Sequence, residues 1–214
     1  MTIDILSFIV AVVAYLIGCI PTAYLLVRLK AGADIRAVGS GNMGGMNSYE
    51  VTGNKWIGIV VALVDAAKGF LAVQLALWIG GSFFDVALAA VFVVMGHCFN
   101  AFFSFGGGRG LATGFGVACG INPLPLMLWS AMYLTGYFAI RRDVHVGSVS
   151  GTLGTMILLF TTPSVIITNL MLIPQYDVSQ FKLMIFLINI IIFIRHIEPM
   201  RELFRKLQEE PVEN

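Results

Sequence analysis

A chain of 214 residues that is 58% apolar and only 12% charged, with a mean hydropathy of +0.88, has the composition of a lipid-embedded protein; water-soluble domains carry about twice that share of charge. A formal net charge of +1 without any basic run excludes a nucleic-acid binder that works by phosphate neutralisation. Cys19, Cys98 and Cys119 lie in apolar runs without metal-ligand or C-x-x-C spacing. They read as small buried hydrophobes, and no metal site follows from them.

The chain begins "MTIDILSFIV", where the first charge is Asp4 and no basic n-region precedes the apolar run. The run from Ile5 to Val27 is too long for the h-region of a signal peptide and is expected to be a mature transmembrane helix. Seven spans are expected in chain order, at roughly 4–27, 55–79, 84–103, 110–121, 123–140, 148–172 and 180–195. The fourth is short and separated from the fifth by the turn signal Asn122-Pro123, which suits a half-crossing helix packed inside a bundle. With the first loop on the cytoplasmic side, seven crossings put Arg28, Lys30, Arg36, Arg109, Arg141, Arg142, Arg195, Arg201, Arg205 and Lys206 inside. The opposite face has Asp4, Asp85 and Asp177, with Lys182 nearby. That asymmetry sets the N-terminus outside and the C-terminus in the cytoplasm. A six-span reading puts Arg141-Arg142 on the wrong face. The expected fold is therefore an all-α membrane bundle of about seven transmembrane helices, a single domain over 1–214. Its tail "RELFRKLQEEPVEN" forms a surface helix that frays. There is no clear internal repeat, which weakens an inverted-repeat transporter reading.

Polar residues concentrate in three expected cytoplasmic connections and at the C-terminal end. The first, 34–55, contains "GSGNMGGMN". Glycine tolerates positive φ and leaves the backbone N–H groups accessible, so Gly39 and Gly41 can shape a nest for an anion such as phosphate. Ser40, Asn42 and Asn47 add neutral donors. The Walker pattern is absent, and such a loop is equally a flexible linker. The second, "GHCFNAFFSFGGGRGLATGFG", puts Gly107, Gly108, Arg109 and Gly110 just before a predicted helix start. A glycine-rich turn with a cation at a helix N-terminus is a natural anion site; otherwise Arg109 is an ordinary interfacial arginine and His97 a packed histidine. The third, "RRDVHVGSVSGTLG", offers Arg141 and Arg142 as substrate contacts or positive-inside anchors. Ser148, Ser150 and Gly151 serve as caps or as small packing residues. Deeper in the second span, Asp65 and Lys68 share a helix face, either as a mutual ion pair or facing substrate. His196 and Glu198 either line a cytoplasmic pocket or form an interfacial anchor.

These stretches resemble the bacterial acyl-phosphate:glycerol-3-phosphate acyltransferase family over nearly the whole chain. "DIRAVGSGNMGGMN" is similar to that family's G-S-G-N-P-G-A-T-N, "DAAKG" to its D-x-x-K-G, and "GHCFNAFFSFGGGRGLATG" to its G-H-x-F-P…F-x-G-G-K-G-V-A-T. "RRDVHVGS" stands where the family has R-Y-x-S-x-S, and "RHIEPMREL" where it has R-H-R-E-N-I-x-R. The resemblance implies a seven-helix bundle with a cytoplasmic active site that moves a fatty acyl group from acyl phosphate to the 1-hydroxyl of glycerol 3-phosphate. It implies no metal and no organic cofactor. Its partners are the two substrates and membrane lipids, with no nucleic acid. At the corresponding positions it implies catalytic roles for Ser40, Arg109 and His196, and substrate binding by Gly39, Gly41, Asn42, Asn47, Lys68, Gly107, Gly108, Gly110 and Arg142. Two phosphate-bearing substrates account for two glycine nests. An activated acyl phosphate needs mainly alignment and charge compensation. A substrate phosphate can itself take the hydroxyl proton, in keeping with the absence of a nucleophile–base pair.

Departures from the family pattern are Glu50 in place of an arginine, Arg109 in place of lysine, Pro199 in place of asparagine, Gly45-Met46 in place of Ala-Thr and Asn100 in place of proline. Glu50 reverses a charge near an anionic substrate, with Arg36, Arg141 and Arg142 available to compensate. These departures keep two alternatives open: a relative that acylates another acceptor, or a non-catalytic phosphate- or lipid-binding protein or transporter.

Overall fold

The computed structural model describes residues 4–209. These form ten α-helices: α1 (Ile5–Gly18), α2 (Thr22–Ala31), α3 (Gly45–Thr52), α4 (Lys55–Trp78), α5 (Phe83–Cys98), α6 (Leu111–Ile121), α7 (Leu124–Thr135), α8 (Val144–Thr161), α9 (Ser164–Asn169) and α10 (Val178–Glu209). Short 3-10 turns cover Ile35–Ala37 and Ala101–Phe103, and α7 continues as a π turn over Gly136–Ile140. Four segments are long and apolar enough to cross a membrane: Ile5–Ala31, Lys55–Trp78, Val144–Thr161 and Val178–Glu209. Phe83–Cys98, Leu111–Ile121 and Leu124–Ile140 are shorter apolar helices. Ile5, Phe8, Leu25, Leu63, Leu71 and Ile157 are exposed, the expected disposition for a surface facing lipid.

Side-chain oxygens start several helices by accepting orphan backbone N–H groups. Asp4 accepts from Ser7 N at 2.8 Å and Asn54 from Trp56 N at 3.0 Å. Ser82 and Asp85 form a capping box at α5. Asp143 caps α8, accepting from His145 N and Val146 N at 2.7 and 3.2 Å. Small residues then bring helix pairs close. Helices α1 and α5, α4 and α6, and α7 and α8 pack against each other, while α10 crosses α5 and α8. A methyl group on Gly96 would strike the Tyr15 carbonyl of α1, and one on Gly116 the Ala66 carbonyl of α4. Where the surroundings are lipid, this close backbone packing replaces the hydrophobic drive between helices.

The structure alters several expected elements. The first apolar run is broken at Ile20-Pro21, because Pro21 has no N–H to continue the helix. Residues 45–52 of the first polar connection fold into α3. The expected span 148–172 begins earlier, at Val144, and ends at Thr161; Thr162 is extended before Pro163, and α9 follows. The tail continues α10 as far as Glu209, through Pro199, while residues 210–214 lie outside the described residues. Cys19 and Cys98 are buried as expected, but Cys119 is exposed on the outer face of α6. The half-crossing reading of α6 fits its length. Its 11 residues rise about 16 Å, roughly half of a bilayer's hydrocarbon core. Asn122 fixes the turn that follows, accepting from Leu124 N and donating to the Ile167 carbonyl of α9, both at 2.9 Å.

Candidate functional site

The two glycine-rich connections meet. Met43 N of the first donates to Gly107 O of the second at 3.4 Å. In the first, Gly39 has φ +59, a conformation that suits glycine, and a Cβ there would strike Asn47 Oδ1. That oxygen accepts from Ser40 N at 2.9 Å. The Asn47 amide nitrogen lies 3.3, 3.3 and 3.0 Å from the carbonyls of Ile35, Val38 and Asn42. Asn47 is 1% exposed, so its side chain shapes the loop from beneath. Ser40 is exposed, and its hydroxyl has no hydrogen bond among the described residues.

In the second connection, Gly108 N donates to His97 O at 3.0 Å. Side chains at Gly107 and Gly108 would strike the carbonyl and ring of His97. Gly110, with φ +84, reverses the chain into α6, whose start has no side-chain cap. Asn100 organises the preceding loop. It is 3% exposed, donates through Nδ2 to Cys19 O at 2.6 Å and through N to Gly106 O at 3.3 Å, and accepts from Phe102 N at 3.0 Å. A proline here would lack both of those donors.

A cavity of about 470 Å³ lies beside these loops, lined by Asn42, Tyr49, Lys55, Asp65, His97, Arg109 and Gly110, among others. Burial lowers the Arg109 pKa from its ordinary value, and the neighbouring charge of Arg195 adds to that effect, while Glu50 and Glu202 oppose it. The guanidinium nonetheless stays cationic at physiological pH. Glu50 itself is exposed and does not line the cavity.

Behind the cavity, Lys68 Nζ donates to Asp65 Oδ1 and to Ile20 O, each at 2.6 Å. The carbonyl of Ile20 sits at the break between α1 and α2. His97 Nδ1 is 3.7 Å from Asp65 Oδ1. Of the two readings the sequence offers for Asp65 and Lys68, the structure has the ion pair. Lys68, Gly107 and Gly108 border a gap of about 10 Å³ with Asp65 and His97, the size of one water molecule.

Thus Asn42, Arg109 and Gly110 share the larger cavity, and Lys68, Gly107 and Gly108 the adjoining gap. Gly39, Ser40, Gly41, Asn47, Arg142 and His196 line neither. His196 is buried, with Nδ1 2.8 Å from Ile192 O, and its ring meets that of His145 at 6.4 Å between centroids. Arg142 is exposed before α8 and has no hydrogen bond or ion pair among the described residues. Glu198 is exposed and 3.4 Å from Arg201. Arg36 pairs with Asp34 at 2.6 Å and lies over the Tyr24 and Phe103 rings. The Arg36 guanidinium draws the Asp34 carboxyl down to about 2. Sequence reasoning did not single out Lys55 or Tyr49 as pocket residues. Lys55 stands at a span boundary and Tyr49 in a segment read as loop, so neither has a local signature.

An apolar groove of about 390 Å³ runs among α4, α6, α7, α8 and α10, lined by Leu63, Phe115, Leu126, Trp129, Ile185 and Ile188, with Asn189. It shares Ala62, Leu111 and Ala112 with the cavity that bears Arg109. Fold and site together define a multi-pass membrane protein with a cation-bearing cavity beside an apolar groove.

The family model described as glycerol-3-phosphate acyltransferase matches residues 8–206, and the chain belongs to this family. It is 35% identical over 210 residues to a glycerol-3-phosphate acyltransferase of Anaeromyxobacter dehalogenans, covering 94% of this chain and 96% of that one. Glycerol-3-phosphate acyltransferase 4 of Dehalococcoides mccartyi is 40% identical over 125 residues, which span 58% of this chain and 53% of that protein. The crystal structure of PlsY (YgiH), an integral membrane glycerol 3-phosphate acyltransferase, in its glycerol 3-phosphate form, superposes with a TM-score of 0.75 at 28% identity. The match covers 94% of this chain and 92% of that one.

Proposed function

We propose that the protein transfers a fatty acyl group from acyl phosphate to the 1-hydroxyl of glycerol 3-phosphate at the cytoplasmic face of a cell membrane. The products are 1-acyl-glycerol 3-phosphate and inorganic phosphate. The observation that carries this reading is the junction of Ala62, Leu111 and Ala112, where the cavity bearing Arg109 adjoins an apolar groove. An acyl phosphate has those two halves in one molecule. Its relatives are named for glycerol-3-phosphate acyl transfer, and PlsY was also solved in a lysophosphatidic acid form.

The attacking hydroxyl oxygen forms the ester bond to the acyl carbon. The bond from that carbon to the phosphate oxygen breaks, and the departing phosphate takes the hydroxyl proton. The protein contributes alignment and charge. Arg109 offsets phosphate charge beside the start of α6, which has no side-chain cap. Asn42 and the nest of Gly39, Ser40 and Gly41 hold the second phosphate, with Asn47 shaping that nest. Gly107, Gly108 and Gly110 let the backbone approach, and Lys68 offsets the charge of Asp65, a carboxylate that lines the cavity. The resemblance gives His196 its catalytic role; with Nδ1–H given to Ile192 O, Nε2 is the free nitrogen of this buried ring. Arg142 attracts the anions at the surface. The four long and three shorter apolar helices supply seven spans over one domain, with the N-terminus outside and the C-terminus in the cytoplasm on the charge asymmetry.

Purified protein given acyl phosphates of several chain lengths and radiolabelled glycerol 3-phosphate is expected to form labelled lysophosphatidic acid and release phosphate. No labelled lipid above background at any chain length counts against the assignment. A parallel screen of other acceptors tests whether Glu50 redirects the acyl group.

A further inference from the structure

Arg195 lies on α10, 86 residues beyond Arg109, where the sequence counts it among the cytoplasmic cations and gives it no role of its own. Its side chain turns onto the second glycine-rich loop. Nη2 donates to Gly107 O at 2.8 Å and Nε to Gly108 O at 3.1 Å. The guanidinium carbon stands 5.6 Å from the centre of the Phe99 ring, at the other end of the same loop. Two donors on consecutive carbonyls, with an aromatic ring on the guanidinium, use the planar fork that distinguishes arginine from lysine. Gly107 O also accepts from Met43 N, so this grip joins α10 to the point where the two glycine-rich loops meet. The next residue after the gripped pair is Arg109.

We propose that Arg195 is a positioning residue: by clamping the carbonyls of Gly107 and Gly108 to α10, it holds the Arg109 guanidinium in the cavity for a phosphate. Arg195 does not line that cavity, so it acts through Arg109 and without touching substrate. Its charge also sets a second cation near the first. Repulsion between them disfavours the empty site and is relieved when an anion binds. The inference rests on the acyltransferase reading for its substrate, while the clamp itself is readable from binding alone.

The test uses full-length protein in detergent. Arg195→Lys, Arg195→Ala, Arg109→Ala and the Arg195→Ala/Arg109→Ala double variant are compared for unfolding temperature, glycerol 3-phosphate affinity by calorimetry, and KM for each substrate. Losing charge-assisted bonds on the loop is expected to weaken glycerol 3-phosphate binding about 10- to 100-fold in Arg195→Ala. Arg195→Lys keeps the charge without the fork and is expected to recover only part of the loss. In the Arg109→Ala background, Arg195→Ala is expected to change affinity less than about twofold, because the residue it positions is gone. An equal loss in both backgrounds overturns the clamp, as does parental affinity in Arg195→Ala. If Arg195→Ala does not fold, Arg195→Lys decides: affinity equal to the parent's overturns the proposal. A parent that binds glycerol 3-phosphate but transfers no acyl group fails the acyltransferase reading alone.

Discussion

Replacing Lys68 with Met tests what the buried pair in α4 does. The methionine keeps most of the side-chain volume and deletes the ammonium. In the structure that ammonium is the donor at 2.6 Å to Asp65 Oδ1, and the two side chains are only 4% and 3% exposed. Ile20 O retains a bond from Thr22 N at 3.0 Å, so the damage concentrates on Asp65, a carboxylate left without its cation. Removing one partner of a buried pair costs about 3–5 kcal/mol, mostly the desolvation of the charge left behind. The Asp65→Asn/Lys68→Met variant removes both charges and is expected to recover much of that loss, with a coupling of about 1–3 kcal/mol. Urea and thermal unfolding in detergent, followed by tryptophan fluorescence and circular dichroism, give the four corners of the cycle. Stability of Lys68→Met within about 0.5 kcal/mol of the parent would refute the reasoning, as would a double variant no better than the sum of its singles. A stable Lys68→Met protein with weakened glycerol 3-phosphate binding would instead make Lys68 a direct substrate ligand.

Arg109→Ala and Ser40→Ala are each expected to abolish turnover, with losses of about 100-fold or more in kcat/KM and unchanged helical circular dichroism; near-parental rates in both would remove these assignments. Gly108→Ala places a methyl group against the His97 ring and is expected to raise KM for glycerol 3-phosphate about tenfold or more, read in the same kinetic assay. Ala112→Phe is expected to plug the junction between cavity and groove, raising KM for long-chain acyl phosphates while calorimetric binding of glycerol 3-phosphate stays intact. Glu50→Arg replaces a charge that opposes Arg109 and is expected to tighten glycerol 3-phosphate binding, most clearly at low ionic strength; unchanged affinity would place Glu50 outside the electrostatics of the site.

Much of the architecture was legible from local chemistry. Runs long and apolar enough to cross a membrane are a property of contiguous residues, and so is the turn at Asn122-Pro123, whereas the break at Thr162-Pro163 lies inside what the sequence reads as one span, 148–172. Gly39, Gly41 and Gly110 have positive φ as a glycine nest requires, a preference set by the absence of a Cβ within single residues. Pro21 also acts locally, but the sequence did not reveal that the carbonyl at its break would receive Lys68, 48 residues away. Asn47 looked like a substrate donor because its amide is chemically free in the sequence; only the folded loop turns it inward onto three carbonyls. Arg195 counted only as one more cytoplasmic cation because its partners, Gly107 and Gly108, are brought to it by the packing of α10 against α5. Hydropathy and backbone sterics are short-range and can be read along the chain. Which donor meets which carbonyl, and whether the cavity of Arg109 adjoins an apolar groove, depend on how close the glycines let the helices approach. The tertiary structure alone decided those contacts.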